Sequence, residues 1–369
     1  MTAPASFSVL HTESSPSLGG QELRILLEME QLSGRGIHSV LAARPGTPII
    51  EEARRRGLTT YAVPLRFNLD PLSMWQLARI IKRHRIRVVN AHNSKDGWNA
   101  APVARLMGVK VIRARHIANP IRAGRSSRLI YGPLCDAVMT TSESIKAHLV
   151  ERGIPADKIT SVPTGIDIAR FESATPGSLR TDLGIPAGVP LVGQVAVLRG
   201  DKGPESFVRA AQRLIEAGSD AWFVLVGEGP SRKKVERLLA EHGHADRIKL
   251  AGFRRDIPAV LADLDLFVLA AHASEGVPQA VLQAHAARRP VITTDRGGIT
   301  EVAIDRKTAL VVPPRNPAAL ADAIQTLLAS PRMAADLAAG GHALVRSRHT
   351  LEHMLDKMEA MYRGLLEQH

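Results

Sequence analysis

Two cations stand on a glycine-containing segment that directly follows an apolar, β-branched run. Arg199 and Lys202 lie between Leu198 and Gly203, immediately after the run Leu191–Val197. In open α/β sheets ligands bind beyond the carboxyl ends of strands, and a loop in this position places its cations there. Positive charge suits a departing diphosphate, on which negative charge develops. The alternative is a surface turn with two solvated cations.

A second polar segment begins with Glu275, shortly before Pro278. Because proline suits the first position of a helix, Glu275, Gly276 and Val277 are expected just before a helix N-terminus. The free amides there bind phosphate, while the carboxylate faces neutral hydroxyls and Gln283 lies farther along the same helix. An acidic residue before a helix is otherwise a simple cap.

Glycines mark two further junctions. Gly19 and Gly20 stand between the first predicted strand and the first helix, and Gly227 follows the apolar run Ala221–Val226. Glycine lets a backbone approach a ligand closely, and the amides of a following helix attract anions. Either junction is also typical of a tight turn. Taken with the two polar segments, these junctions indicate a site for a diphosphate that carries a neutral polyol.

The elements that position these residues alternate between short apolar runs and longer amphipathic stretches, a pattern typical of βα units and a parallel sheet. The strands predicted in the first half are Phe7–His11, Ser39–Ala43, Thr60–Val63, Val88–Ala91, Val111–Ala114, Ala137–Thr141 and Ile159–Val162. Those in the second half are Leu191–Val197, Ala221–Val226, Ile248–Ala251, Leu266–Ala270, Pro290–Thr294 and Ala309–Val312. Predicted helices include Gln21–Gly34, Leu72–His84, Trp98–Met107, Ser142–Glu151, Ala318–Leu328, Met333–Arg346 and Thr350–Leu366.

The predicted organisation is two Rossmann-like domains, because 369 residues are too many for one hydrophobic core. Glycines and prolines crowd between 166 and 190, which indicates a linker. The expected domains are 1–165, which binds the acceptor, and 191–349, which binds the nucleotide sugar. A helix over about 350–369 is expected to pack back on the first domain.

Composition excludes several classes of protein. The chain is 45% apolar and 23% charged, which is typical of a soluble globular protein. No apolar run approaches the roughly 20 residues of a membrane span, and residues 1–10 lack the pattern of a signal peptide. A single cysteine, Cys135, excludes an internal disulfide framework and cysteine-based zinc sites, and it suits a reducing compartment. A cytoplasmic location is therefore expected.

The net charge of +12 is concentrated in the first half. Residues 1–165 hold 23 lysines and arginines against 12 acidic residues, whereas residues 166–369 hold 25 against 24. Such a field attracts phospholipid head groups, lipid-linked phosphates or nucleic acid; a basic surface kept for solubility is the alternative. Within it, the basic amphipathic stretch Leu72–Arg87, with Leu72, Trp75, Ile80 and Ile81, is expected to contact an anionic membrane, or else to be an ordinary packed helix.

Several segments resemble the retaining glycosyltransferases of family 4, which have the GT-B fold, two Rossmann-like domains with parallel sheets facing across a cleft. Gly19–Glu22 is similar to the family's Gly-Gly-x-Glu loop, Val89–Lys95 to its VVHAHSSK segment, and Val162–Phe171 to its IPNGVDxxRF signature, with Thr164 where Asn is usual. The segment that begins at Glu275 resembles the E-x7-E motif, the most specific of the set. The resemblance covers essentially the whole chain.

The resemblance implies a role for each matching residue. Lys202 and Arg199 would grip the diphosphate, Glu275 would bind the donor sugar and stabilise its positive charge, and His116 would lie near that sugar. A purely structural histidine at a strand end is the alternative. The implied catalytic residues are Glu275, His116 and Lys202. The implied donor-binding residues are Gly19, Gly20, Arg199, Lys202, Gly227, Arg254, Glu275, Gly276, Val277 and Gln283, with Gln283 at the ribose and the base against the backbone near Arg254–Ile257.

The chain departs from the family pattern at two positions. In the family's G-R-L-x-x-x-K-G run the arginine position is Val197 here, and the cation has moved to Arg199. The second glutamate of E-x7-E is Gln283, an amide that accepts hydrogen bonds less strongly than a carboxylate. Asp263 and Asp265 superficially match an Asp-x-Asp metal site, but Asp263 is expected to cap the preceding helix. No metal or other cofactor is expected, because the two cations supply the positive charge.

The predicted function is retaining transfer of a sugar from a nucleotide diphosphate donor to a hydroxyl of a glycan or glycolipid. The acceptor is expected to be anionic or lipid-linked, in lipopolysaccharide or another cell-surface glycoconjugate, and the enzyme to work at the inner face of the membrane. One alternative is a sugar-nucleotide epimerase of the same fold. Another is a nucleic-acid-binding protein, although few aromatic residues are present to stack on bases; no nucleic acid is expected.

Overall fold

The computed structural model describes residues 6–116 and 124–367. The chain divides into two compact units, each built around one wholly parallel sheet. Unit 1 comprises Met1–Pro163 and Glu352–His369, and unit 2 comprises Thr164–Leu351. The predicted α/β class and the two parallel sheets are therefore confirmed.

The sheet of unit 1 has seven strands in the order β3-β2-β1-β4-β5-β6-β7, which turns back beside β1 as doubly wound folds do. Its strands are β1 (Phe7–Glu13), β2 (Ile37–Ala43), β3 (Thr60–Ala62), β4 (Ile86–Ala91), β5 (Lys110–Arg115), β6 (Ala137–Thr140) and β7 (Ile159–Ser161). The first six helices are α1 (Gly20–Ser33), α2 (Pro48–Arg55), α3 (Pro71–Arg83), α4 (Ser94–Leu106), α5 (Arg125–Tyr131) and α6 (Glu143–Glu151).

The sheet of unit 2 has six strands in the order β10-β9-β8-β11-β12-β13, so that β8 lies beside β11. Its strands are β8 (Leu191–Val195), β9 (Trp222–Val226), β10 (Ile248–Gly252), β11 (Leu266–Leu269), β12 (Val291–Thr294) and β13 (Leu310–Val312). The remaining helices are α7 (Ile168–Glu172), α8 (Leu179–Asp182), α9 (Pro204–Glu216), α10 (Arg232–His242), α11 (Ile257–Asp263), α12 (Gln279–Ala286), α13 (Pro317–Ala329), α14 (Pro331–Arg348) and α15 (Leu351–Glu367).

Every predicted strand has a counterpart, because the strands of a parallel sheet are covered on both faces and form continuous apolar runs. All residues of β8, β11 and β12 are buried. The bounds of the predicted runs are less accurate. The first run of unit 2 ends as a strand at Val195 rather than Val197, and Val197 is exposed.

Helix α4 begins four residues before the predicted Trp98, and it contains Pro102. The helix begins earlier because a polar side chain in its first turn, that of Asp96, stabilises its N-terminus. The carboxylate of Asp96 accepts hydrogen bonds from the backbone N–H groups of His92 (3.0 Å) and Asn93 (3.2 Å), which satisfies donors at the helix N-terminus. Ser142, in contrast, lies just before α6 as its N-cap and accepts a hydrogen bond from the Ile145 N–H at 3.1 Å.

Helix α15 belongs to unit 1, although unit 2 separates it from the rest of that unit in sequence. It buries an apolar face with Met354, Met358 and Tyr362. The Tyr362 hydroxyl accepts a hydrogen bond of 2.9 Å from Nδ2 of Asn90 on β4, and the tyrosine ring packs edge-on against Phe7 of β1. This helix therefore completes the core beside the two central strands.

Residues 166–190, for which the sequence indicates a linker, are built into unit 2 and form α7 and α8. Phe171, Leu179 and Ile185 pack in its core. Asp263 does not cap α11, the helix it ends; its carboxylate accepts hydrogen bonds from the N–H groups of Gly177 (3.0 Å) and Leu179, so it caps α8 instead.

Asp265 has a similar structural role. Its Oδ2 accepts hydrogen bonds from the Leu191 N–H at 2.8 Å and from the Arg180 guanidinium at 2.9 Å. The two aspartates of the Asp-x-Asp sequence thus hold the segment before β8 in place. Of the helices in residues 6–116 and 124–367, none combines the length and the apolar character needed to cross a membrane.

Candidate active site

The centre of the candidate site in unit 2 is an ion pair between loops that follow neighbouring strands. Lys202 follows β8 and Glu275 follows β11, and their Nζ and Oε2 atoms are 2.5 Å apart. Both side chains are largely buried, with 20% of the lysine and 10% of the glutamate side chain exposed. The predicted association of these two residues at one edge of the sheet is therefore seen directly.

Gly203 allows the two loops to meet. It adopts the left-handed conformation, with φ of +67°, and a Cβ atom there would lie 1.8 Å from the backbone oxygen of Ala270. The backbone N–H of His272 also donates a hydrogen bond of 2.6 Å to the carbonyl of Asp201. The loop that carries Lys202 is thus fixed against the loop that leads to Glu275.

A third loop, after β12, holds the backbone of Glu275. The Gly298 N–H donates a hydrogen bond of 2.8 Å to the Glu275 carbonyl, and Gly297, with φ of +57°, approaches so closely that a Cβ atom would lie 2.5 Å from that oxygen. The side chain is only half satisfied. Its Oε1 atom is buried and has no hydrogen-bond partner among the described residues.

The neighbouring cations are paired with acids rather than with Glu275. Arg199 binds both carboxylate oxygens of Asp201 and stays half exposed. Burial raises the pKa of Asp201 and the Arg199 hydrogen bonds lower it, and the net shift is downward. Arg254 binds Asp182 and Asp256, at 2.7 Å each, so its guanidinium is engaged by α8 and by its own loop.

Helix α12 starts at Gln279 with Pro278 as its N-cap, so the prediction that Pro278 is the first helical residue is wrong by one position. Its extended ψ of 122° explains the shift. Gly276 and Val277 are buried just before this N-terminus, and Gln283 is half-buried within the helix.

Gly227 lies at the next junction, after β9. It adopts φ of +141°, and a Cβ atom there would lie 2.0 Å from the carbonyl oxygen of Ala196. The close approach that sequence reasoning assigned to a ligand is thus made, in this structure, to the loop after β8. The loops after β8, β9, β11 and β12 form one continuous edge of unit 2.

In unit 1, Gly19 is the N-cap of α1 and Gly20 is its first residue. The Gly19 N–H donates a hydrogen bond of 2.7 Å to the carboxylate of Glu22, which thereby acts as a cap. Glu13, at the end of β1, accepts hydrogen bonds from the Ser15 N–H (2.7 Å) and from Gln21 (2.6 Å). These bonds order the segment that leads to the paired glycines.

Burial raises the pKa of Glu13 to about 8, and the neighbouring carboxylates Asp96 and Glu22 add to this shift. Asp96 accepts hydrogen bonds from the hydroxyls of Thr12 (2.9 Å) and Ser14 (3.1 Å), so it joins the end of β1 to the start of α4. Sequence reasoning did not find this acidic pair, because its members are 83 positions apart in sequence and meet only once β1 and β4 are paired.

His116, directly after β5, was predicted as a site residue, and the structure adds two histidines behind it. Its Nε2 lies 3.0 Å from Nδ1 of His92, and the Nε2 of His92 lies 3.0 Å from Nδ1 of His11. His11 lies near the carboxyl end of β1, and His92 and His116 directly follow β4 and β5. This signal in the sequence becomes informative only with the strand order β1-β4-β5. The predicted residues Gly19, Gly20 and His116 thus belong to unit 1, and the other predicted site residues belong to unit 2.

Among residues 6–116 and 124–367, no group of three or more His, Cys, Asp and Glu side chains is arranged to hold a metal ion. The buried Cys135 donates a hydrogen bond to the Ala137 carbonyl, and burial raises the pKa of its thiol to about 11. A thiol of this kind is unreactive at neutral pH.

Comparison with known proteins identifies the family. The family model described as Glycosyltransferase Family 4 matches residues 18–170, and the model described as Glycosyl transferases group 1 matches residues 178–343. The chain belongs to glycosyltransferase family 4. The protein is thus a glycosyltransferase, and family membership favours this prediction over the epimerase and nucleic-acid-binding alternatives.

Relatives that are named as glycosyltransferases cover most of the chain. Alpha-D-kanosaminyltransferase of Streptomyces kanamyceticus is 25% identical, over 91% of this chain and 97% of its own. UDP-Gal:alpha-D-GlcNAc-diphosphoundecaprenol alpha-1,3-galactosyltransferase of Escherichia coli is 27% identical, over 80% and 81%. The crystal structure of Anabaena HepE in complex with UDP-glucose superposes with a TM-score of 0.86 at 18% identity, covering 97% of this chain and 99% of that one. The fold of this glycosyltransferase is GT-B, as predicted.

We expect Gly203→Ala to destabilise unit 2, because the left-handed backbone is strained for alanine and the new Cβ atom would overlap the Ala270 carbonyl. The expected loss in free energy of unfolding exceeds about 2 kcal/mol, measured as a lower urea midpoint. Gly200→Ala is the matched control, since its Cβ atom would meet nothing within 4 Å. Equal midpoints for the two variants would contradict this account of the loop.

Proposed function

We propose that this glycosyltransferase transfers a sugar, with retention of anomeric configuration, from a nucleotide diphosphate donor to a hydroxyl of a glycan or glycolipid. The observation that carries the proposal is the Lys202–Glu275 pair with the second carboxylate oxygen buried and unpartnered. A buried acceptor without a donor is costly. A sugar hydroxyl is a neutral donor of the right kind, and a phosphate oxygen is an acceptor for the lysine.

The Lys202–Glu275 pair assigns a residue to each end of the donor, one to the diphosphate and one to the sugar. When the diphosphate binds, Lys202 turns from Glu275 to the phosphate oxygens, and Glu275 is left to the sugar. The amides of Gly276 and Val277, just before α12, supply further donors to the phosphates. Lysine provides a mobile point charge, which suits this exchange between two anionic partners.

The remaining parts of the donor are assigned to the flanking loops. Arg199 stands on the same loop as Lys202 and reaches the phosphates by releasing Asp201. Gly227 permits a close backbone approach, Gln283 meets the ribose, and the base lies against the backbone near Arg254. The pairs that Arg254 makes with Asp182 and Asp256 shape this loop and leave base binding to its backbone. The resemblance to the family also assigns Gly19 and Gly20 to the donor.

In the transfer step, the bond between the anomeric carbon and the diphosphate oxygen breaks as the acceptor hydroxyl attacks on the same face. The leaving phosphate takes the proton of that hydroxyl. Positive charge develops on the sugar, and the carboxylate of Glu275 stabilises it, while Lys202 neutralises the charge that grows on the leaving oxygen. The resemblance to the family assigns His116 to the sugar. The cations fill the role that a divalent metal has elsewhere, so we propose a metal-independent reaction.

We expect a nucleotide diphosphate or its sugar to raise the melting temperature, since a ligand at about 100 times its Kd adds about 2.7 kcal/mol to stability. Screening UDP, GDP and ADP sugars by thermal denaturation identifies the base. Lys202→Ala should lose most of the shift, whereas the control Lys234→Ala, whose side chain is paired with Glu205 on the surface, should keep it. Stabilisation of the lysine variant equal to that of the wild type would refute the assigned phosphate contact.

With the donor known, we expect Glu275→Ala to lower kcat by at least about 100-fold, the usual effect of removing one stabilising group from a developing charge. Donor KM should change far less. Glu236→Ala, which removes a surface carboxylate of α10, is the control. The same assay in EDTA should retain full activity. Unchanged turnover in the Glu275 variant would refute its role, and activity lost in EDTA but restored by magnesium or manganese would refute metal independence.

We propose that the acceptor is anionic or lipid-linked and that the protein meets it at the cytoplasmic face of a membrane, in lipopolysaccharide or another cell-surface glycoconjugate pathway. The Escherichia coli relative is named for a diphosphoundecaprenol acceptor, which is of this class. The surface that supports the proposal is the 67–75 patch, in which Phe67, Leu69, Leu72 and Trp75 are each about half exposed.

Basic side chains accompany the 67–75 patch. Arg79 lies over the ring of Trp75, with 4.7 Å from its guanidinium carbon to the ring centroid, and Arg66 lies over Phe67. Ile80 and Ile81, which the sequence placed in the membrane-facing set, are buried in the core, so the apolar surface is shorter than predicted and includes the loop before α3. Aromatic rings beside arginines suit an anionic lipid interface.

We expect the protein to float with vesicles that contain phosphatidylglycerol but not with pure phosphatidylcholine vesicles. Trp75→Ser combined with Leu72→Ser should reduce binding severalfold, because it removes apolar contact without changing charge. Ile304→Ser, at a position in unit 2 about as exposed as Leu72, is the control. Binding that persists unchanged in the double variant would exclude this surface. Equal binding to pure phosphatidylcholine vesicles would exclude the proposed preference for anionic lipid.

A further inference from the structure

Three histidines from neighbouring strands form a continuous chain inside unit 1. Nδ1 of His11 and Nε2 of His92 are 3.0 Å apart, as are Nδ1 of His92 and Nε2 of His116. The rings of His11 and His92 are nearly parallel, with 7° between their planes. His11 and His92 are buried, whereas His116 is partly exposed. The chain therefore runs from the core to the residue that the proposed function places at the donor sugar.

All three rings are neutral at physiological pH. Burial lowers the pKa of His11 to about 4 and holds the pKa values of His92 and His116 well below the usual range. The positive charge of Arg24 lowers both of the latter further. A neutral imidazole has one N–H donor and one bare nitrogen. Because each link needs one donor and one acceptor, the protons of the whole chain have only two consistent arrangements.

The surroundings of His11, at the buried end of the three histidines, decide between the two proton arrangements. Nε2 of His11 is buried and has no hydrogen-bond partner among the described residues. Among buried backbone groups an orphaned N–H is rarer than an under-satisfied C=O, and we extend this preference for a bare acceptor to the ring nitrogens. His11 therefore carries its proton on Nδ1 and donates to His92. That ring must then carry its proton on Nδ1 and donate to Nε2 of His116, whose own proton is left on Nδ1.

We propose that His11 and His92 are positioning residues that hold His116 as the Nδ1-protonated tautomer, with its outer nitrogen a fixed hydrogen-bond donor. The tautomer follows from unit 1 alone; only its use at the donor sugar rests on the proposed function. A protonated outer nitrogen cannot take a proton from the acceptor hydroxyl. His116 therefore donates to an oxygen of the sugar, and deprotonation of the acceptor is left to the departing phosphate.

The test is the tautomer itself, read from ring-nitrogen shifts in long-range 1H–15N spectra of the full-length protein labelled at histidine. The His116 signals are assigned by their loss in His116→Gln. In the wild type we expect protonated Nδ1 and bare Nε2 on His116 across neutral pH. His11→Phe removes the inner donor, so the His116 signals should shift towards a mixture of tautomers. His11→Asn, whose amide N–H replaces the Nδ1 donor, should keep the wild-type spectrum.

His84→Phe is the matched control, since it removes another unit 1 histidine, which is hydrogen-bonded to Tyr61 at 2.7 Å. It should leave the His116 signals unchanged. Thermal denaturation of each variant shows whether the unit is folded. A wild-type spectrum with His116 protonated on Nε2, or His11→Phe signals identical to the wild type in a folded protein, would overturn the proposal.

Measurements of kcat separate the proposed tautomer of His116 from the proposed role of His116 at the donor sugar. We expect His11→Phe to lower kcat about 10-fold, the lower end of the effect of losing the orienting partner of a metal-bound histidine. His11→Asn should stay within about twofold of the wild type, and donor KM should change little. If the tautomer shifts as expected but His116→Gln retains full turnover, the positioning role of His11 and His92 is supported and the assigned role of His116 is refuted. If His116→Gln is inactive but His11→Phe leaves the tautomer unchanged, the positioning role of His11 and His92 is refuted and the role of His116 at the sugar stands.

Discussion

Parallel strand pairing is the constraint on which both units depend. In a parallel sheet every strand ends at the same edge, so the loops that follow neighbouring strands bring residues distant in sequence together whether or not they attract each other. Lys202 and Glu275 are 73 positions apart and form an ion pair because β8 and β11 are neighbours. The three histidines of unit 1 meet for the same reason, at the ends of β1, β4 and β5.

This convergence crowds the loops, and glycine relieves the crowding. At Gly203, Gly227 and Gly297 the backbone passes within contact distance of another loop, and a Cβ atom would overlap its oxygen atoms. Several of the glycines that appear in the sequence as signs of ligand approach are therefore needed for loop-to-loop contact. Both explanations require the same residue, and the sequence alone does not separate them.

The sequence predicted the elements well because parallel strands are continuous apolar runs, and it located Lys202 and Glu275 because both follow such runs. It did not predict their direct contact, which depends on strand order. Asp263 and Asp265 show the same limit. Their carboxylates bind the backbone of a segment about 80 positions earlier, so sequence reasoning assigned Asp263 to the adjacent helix instead. His11 was missed because its partner His92 is 81 positions away.

The ion pairs at the loop edge of unit 2 and the three histidines of unit 1 differ in charge. In unit 2 oppositely charged side chains are arranged in pairs at the loop edge, where a ligand can exchange partners with them. In unit 1 the buried histidines are kept neutral, so no counter-charge is needed in the core. The hydrogen bonds between these neutral rings all point the same way, because each ring has one donor nitrogen and one acceptor nitrogen.

The return of α15 to unit 1 has a consequence for synthesis on the ribosome. A nascent chain that has emerged as far as Pro163 has the strands of the first sheet but not Tyr362, which covers Phe7 and binds Asn90. Domains usually finish folding in the order in which they are made. Here the polypeptide of unit 2 is complete before the last helix of unit 1 exists, so the unit that begins second is the first able to close its core.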